Sequence, residues 1–162
     1  MKFNTDLLNA YKRLLQTTNL KEGYQEFIAL FRYLRIELEK QLPAYQFQGK
    51  IVENGMDYSY FQFANEKLKQ QGLKIVVVFV HRIFQFEVWL SGVNRKVQCQ
   101  YHHLWQQSPI AFELASHPSR QDYIFRVPLS EELDLSDGDG VVLEIKKAVL
   151  DVVSFLHQDG II

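Results

Sequence analysis

The stretch from Lys74 to Trp105, KIVVVFVHRIFQFEVWLSGVNRKVQCQYHHLW, constrains the fold more than any other. It opens with Ile75-Val76-Val77-Val78-Phe79-Val80, so β-branched and aromatic residues occupy both alternating faces. A strand apolar on both faces belongs in the middle of a sheet, with material packed on each side. Two strands are expected here, over Leu73–His81 and Phe84–Leu90, joined so tightly that a hairpin is the natural connection. The link holds no Gly or Asn, which leaves its turn type open. Ser91-Gly92 then punctuates the chain. A helix is predicted over 93–105, with Val93, Val97, Tyr101, Leu104 and Trp105 as its buried stripe, ended by Ser108-Pro109.

The segments on either side extend this pattern. Residues 3–18 place Phe3, Leu7, Leu8, Tyr11, Leu14 and Leu15 at helical spacing, with Asn4 or Thr5 as cap. A second helix is predicted over 21–42, where Tyr24, Phe27, Ile28, Phe31, Leu34 and Leu38 recur at the same period and Pro43 stops the run. Together they predict a helical hairpin. Residues 44–54 read as irregular or a short strand, and Asn54-Gly55 signals a turn. Met56–Phe63 alternates, with Met56, Tyr58 and Tyr60 on one face and Asp57, Ser59, Phe61 and Phe63 on the other. A polar helical turn over 65–71 is closed by Gly72; a further strand is expected over 123–129 and a last helix over 141–156. The order predicts one α+β domain spanning 1–162. Its mainly antiparallel sheet of about four strands would be flanked by the N-terminal helical hairpin and the C-terminal helices.

Composition bounds the function classes. The 18 basic and 19 acidic residues leave a net charge of −1, without the basic excess of a dedicated nucleic-acid binder. No cationic amphipathic segment suits a membrane surface, and no apolar run approaches the roughly 20 residues that span a bilayer. Asn4, Thr5, Asp6 and Asn9 interrupt any signal-peptide core, so a cytoplasmic protein is expected. A single cysteine, Cys99, leaves no internal disulfide and no multi-cysteine metal site, and is read as a buried thiol. Twelve Phe, eight Tyr and two Trp supply the core and leave aromatic surface over for a ligand or partner.

The block Phe86-Glu87-Val88-Trp89-Leu90-Ser91-Gly92-Val93-Asn94-Arg95-Lys96, following VVVFVHRIFQ, resembles an uncharacterised bacterial family of single-domain proteins of about this length. That family is a domain of unknown function. The resemblance therefore implies a bacterial cytoplasmic setting and carries no activity, cofactor or catalytic residue.

The residues themselves offer several candidates. Glu87 sits among apolar neighbours in a core strand, where a carboxylate is costly unless paired. It is either a general base or an anchor for a cationic ligand, or it takes an edge position or pairs structurally with Arg82, Arg95 or Lys96. Asp57 and Glu87 together suggest the strand-borne acids of a metal-dependent nuclease, although Trp89 stands where such sites carry Lys. Asn94, Arg95 and Lys96 open a helix, where cations oppose the dipole and invite an anion. The adjacent His102 and His103 point about 100° apart on a helix and have no metal-ligand spacing. Tyr58, Tyr60, Trp89 and Trp105, with Glu87 and Arg95 at the mouth, make a candidate aromatic-lined polar pocket for a small molecule or protein partner. The same aromatics equally suit plain core or a homodimer interface. No catalytic residue, metal or cofactor is assigned.

Overall fold

The computed structural model describes residues 1–108 and 110–162. The predicted helix stop at Ser108-Pro109 thus falls partly on Pro109, outside the described residues. Among those residues the chain runs α1 (Thr5–Thr17), α2 (Leu20–Gln41), β1 (Gln46–Asn54), β2 (Tyr58–Ala64), α3 (Glu66–Gln70), β3 (Leu73–Val80), β4 (Gln85–Gly92), α4 (Arg95–Gln106), β5 (Glu113–Leu114), β6 (Phe125–Pro128) and α5 (Gly138–Gln158). The fold is mixed α+β, and its described strands form one antiparallel sheet of six, in the order β1-β2-β3-β4-β6-β5.

The expected four strands become six for an identifiable reason. β1 is an edge strand whose pairing slips between Gln48 and Val52 around Gly49, at φ 67°. The bulge leaves Phe47 and Ile51 as its half-buried apolar residues, with Gly49 between them and exposed Val52 beside them, so the alternation is too sparse to read. β5 is only two residues long, too short for any periodic signal. Met56 and Asp57 also prove to be turn rather than strand. Asp57 N–H donates to Asn54 C=O across Gly55 and Met56, both at positive φ (57° and 64°), the pattern of a primed hairpin turn. The β3–β4 link is a turn over His81–Phe84 whose last residue, Phe84, adopts φ 54°.

Alternation sorts the sheet into two faces. Phe61, Phe63, Ile75, Val77, Phe79, Phe86, Val88, Leu90 and Phe125 point to one side, where α2 and α5 lie across them. Phe31 of α2 is fully buried against Phe61 and Phe86, with ring centroids 5.2 and 5.8 Å away. Val141, Val142, Ile145, Val149, Val152 and Leu156 of α5 complete this closed layer.

α1 departs from the expected hairpin packing. Asn4 caps it, its Oδ1 accepting from Leu7 N–H at 3.1 Å, but none of its residues is buried. α4 also departs from its predicted stripe: Val93 and Leu104 are exposed, while Gln98, Tyr101, His102 and Trp105 are buried. Tyr101 and Trp105 join the closed core; Gln98 and His102 instead hold the loop over 115–123 through its carbonyls. Hydrogen bonding, which periodicity does not register, buries these two polar side chains.

Candidate functional site

The second face of the sheet follows from the same alternation. Tyr58, Tyr60 and Gln62 from β2, Lys74, Val76 and Val78 from β3, and Glu87, Trp89 and Ser91 from β4 share it in register, with Arg126 of β6 opposite Trp89. Among the described residues no helix crosses it as α2 and α5 cross the other face. Its cover is the loop over 115–123, which packs Ala115 and Tyr123 against Val76, Val78 and Trp89. Trp89 and Tyr123 ring centroids lie 5.0 Å apart, and Tyr58 lies 5.9 Å from Trp89 and 6.0 Å from Tyr60. Polar side chains pin the loop: Ser91 Oγ donates to Asp122 C=O at 2.7 Å, Gln98 Nε2 to Pro118 C=O at 2.9 Å, and His102 Nε2 to Ala115 C=O at 2.6 Å.

Between this loop, the start of α4 and the uncovered strands is a cavity of about 320 Å³. Tyr58, Tyr60, Val76 and Trp89 supply its apolar wall; Gln62, Lys74, Asn94, Arg95, Gln98 and Asp122 bring polar groups to it. Gly92 makes this arrangement possible, because a Cβ there would come within 2.6 Å of Gln98 N. Only glycine lets the chain leave β4 and enter α4 this tightly, and that entry carries Asn94 and Arg95 to the rim. The Asn94 side chain is spent on capping, its Oδ1 accepting from Val97 N–H at 3.0 Å.

The cavity's charges are not equivalent. Asp122 accepts from Arg95 Nη2 at 2.6 Å and from the Tyr58 hydroxyl at 3.0 Å, so its carboxylate is neutralised locally. Burial first, and then the bond to Asp122, push the Tyr58 phenol above its ordinary pKa. Lys74 is half-buried and donates to Gln62 Oε1 at 2.8 Å, with no carboxylate at ion-pair distance among the described residues. Burial lowers its pKa below the ordinary lysine value, opposed only by the more distant charge of Asp122.

The structure brings Tyr58, Tyr60, Trp89, Asn94 and Arg95 to one cavity, and separates the other sequence candidates from it. Trp105 lies in the closed core, stacked on Tyr101 and donating from Nε1 to Asp159 at 2.8 Å. Lys96 is exposed beyond the lining. Glu87 lies beside the cavity but is only 1% exposed, and its partner is Arg126 at 2.9 Å rather than Arg82, Arg95 or Lys96. Its other carboxylate oxygen accepts from Trp89 Nε1 at 2.5 Å. Arg126 also bonds Glu113 at 2.5 Å. Both Glu87 oxygens are therefore engaged, and Asp57 sits exposed in the turn before β2, so the two acids do not form a strand-borne pair. Among the described residues, no three His, Cys, Asp or Glu side chains are placed to hold a metal ion together. Cys99 is half-buried and free. No helix of the described residues is long and apolar enough to cross a membrane.

Sequence reasoning overlooked Gln62, Lys74, Ser91, Asp122 and Arg126. The first three share parity with Tyr60, Val76 and Trp89, and alternation alone assigns them to this face. Asp122 and Arg126 reach it through the loop and the β4–β6 pairing, which no local pattern encodes.

Comparison with known proteins places the chain in one family: it belongs to the domain of unknown function DUF7000, whose model matches residues 4–159. No curated protein and no solved structure matches it.

Proposed function

We propose that the cavity over β2, β3 and β4 binds a small molecule carrying an anionic group on a flat, unsaturated body. The observation that carries this reading is Lys74, a half-buried ammonium without a carboxylate partner among the described residues, set in front of Tyr58, Tyr60 and Trp89. An ammonium held partly out of water carries a desolvation cost, and an anion bound beside it would offset that cost. Asp122 plays that part only from a distance, because its oxygens are held by Arg95 and Tyr58. The aromatic wall suits an unsaturated ring through offset or edge contacts. A volume of about 320 Å³ suits a compact ligand, since small-molecule pockets begin at about 300 Å³. A concave site of this size favours a small molecule over the flat surface of a folded protein partner.

The test uses benzoate and adenosine monophosphate as anionic aromatic probes, with benzamide and adenosine as neutral counterparts. Binding is read from quenching of Trp89 fluorescence in a Trp105→Phe background. At least one anion is expected to quench saturably, its neutral counterpart weakly, and Lys74→Met to weaken the anion about tenfold, the equivalent of about 1.4 kcal/mol. Equal binding of charged and neutral probes, no saturable binding by either anion, or an unaffected Lys74→Met variant would overturn the reading.

A further inference from the structure

The outer surface of α1 is the largest feature that the cavity leaves unexplained. Leu7, Leu8, Tyr11, Leu14 and Leu15 lie on one side of this 13-residue helix at 68%, 58%, 57%, 44% and 38% exposure. A helix this short is marginal in water without packing, and α1 buries none of its own residues. Its apolar side borders an open groove where Tyr11 and Leu15 face Leu20, Tyr24 and Ile28 of α2. Among the described residues this side stays largely uncovered, which leaves it open to a second molecule.

The order of the residues identifies what. Leu7-Leu8-x-x-Tyr11-x-x-Leu14-Leu15 reads the same in both directions about Tyr11. Antiparallel apposition of two such helices sets Leu7 against Leu15, Leu8 against Leu14, and Tyr11 against Tyr11 on the axis. An isologous two-fold interface sets the same patch of both copies together, and here that opposes apolar residues along the whole helix. We propose that α1 is the centre of a homodimer in which a second copy of this chain packs its α1 antiparallel across the first.

Area supports this occupant. With about 150–200 Å² for each large apolar side chain, the five residues and Phe3, at 71% exposure, present about 600 Å² per chain. Two copies would bury about 1,200 Å², the lower edge for specific interfaces, before the groove on α2 contributes. A lipid surface is the poorer match. Interfacial helices carry a strongly cationic polar face, whereas α1 carries Asp6, Asn9 and Gln16 beside only Lys12 and Arg13.

Sedimentation equilibrium of the full chain tests the proposal. At high micromolar concentration the protein is expected at twice its 19.1 kDa mass, and Leu7→Glu/Leu14→Glu at the single mass. Because no residue of α1 is fully buried in the monomer, this variant is expected to keep the wild-type near-ultraviolet circular dichroism, which separates lost association from lost folding. Tyr11→Cys is expected to form a disulfide-linked dimer on mild oxidation, whereas Asn9→Cys, on the opposite side of the helix, is not. A wild-type monomer at every concentration would overturn the proposal, as would a dimer that survives Leu7→Glu/Leu14→Glu. So would a monomer that instead co-sediments with phosphatidylglycerol vesicles through α1.

Discussion

The two faces of one sheet are finished differently. On the closed face two long helices seal a layer of Phe, Val, Ile and Leu, with buried Ser59 bonded to His81. On the open face a loop is the cover, and buried Glu87, Trp89 and Tyr123 with half-buried Arg126 are held to one another by hydrogen bonds and ring contacts. The same strands build both, residue by residue in alternation. Stability is concentrated where apolar volume is dense, and the chemistry is left where a loop replaces a helix. A polar side chain costs little there, because partners and water are both within reach.

Core truncation gives the largest effect that sharpens this contrast. Phe31→Ala removes a fully buried ring from the closed face and is expected to cost about 3–5 kcal/mol, as large-to-small core changes do. Urea unfolding measures it, and a loss below about 1 kcal/mol, the scale of an ordinary substitution, would place the stabilising mass elsewhere. Next comes the buried pair on the open face. Arg126→Met strips Glu87 of its cation and is expected to cost about 3 kcal/mol, at the low end for a broken buried pair because Arg126 is itself 27% solvent-exposed. Glu87→Leu/Arg126→Met is expected to recover part of that loss, since no buried charge then lacks a partner, although Trp89 Nε1 loses its acceptor. Equal losses in the single and double variants would show that packing, and not charge, sets the cost.

The smallest effect lies at the rim of the closed face. His81 packs edge-on against Phe27 and Phe79, shares a hydrogen bond with Ser59 at 2.9 Å, and is approached by Tyr24 of α2 and by the charge of Glu53 of β1. Burial lowers its pKa, with Glu53 opposing. The unfolded chain therefore takes up a proton near the ordinary value of about 6.5 while the folded chain resists it. Stability is expected to decline as pH falls below that value, and to stop declining on this account once pH passes below the folded pKa. The difference in unfolding free energy between wild type and His81→Gln, followed across this range, isolates the contribution. A difference independent of pH would mean that His81 titrates alike in both states.

Much of this architecture is legible in local pattern. The two-faced run Ile75–Val80 did become an inner strand, paired on both sides, and the periodic runs of α2 and α5 became the helices that seal the sheet. Alternation in Tyr58–Tyr60 and around Trp89 also placed three aromatics of the candidate cavity on one face. These features are decided within a few residues, because backbone geometry ties side-chain direction to sequence separation.

What the sequence left undecided depends on contacts between distant segments. Trp105 and Trp89 look alike as aromatic residues, yet α4 turns Trp105 into the closed core while β4 turns Trp89 to the open face. Glu87 needed a cation, but its identity as Arg126 waited on β6 pairing with β4 across an intervening helix and loop. β1 hid behind its bulge, and the apolar side of α1, correctly periodic, stays largely exposed among the described residues. Periodicity specifies which side of an element is apolar. Only the tertiary structure decides what that side meets, because burial belongs to pairs of surfaces and not to a sequence taken alone.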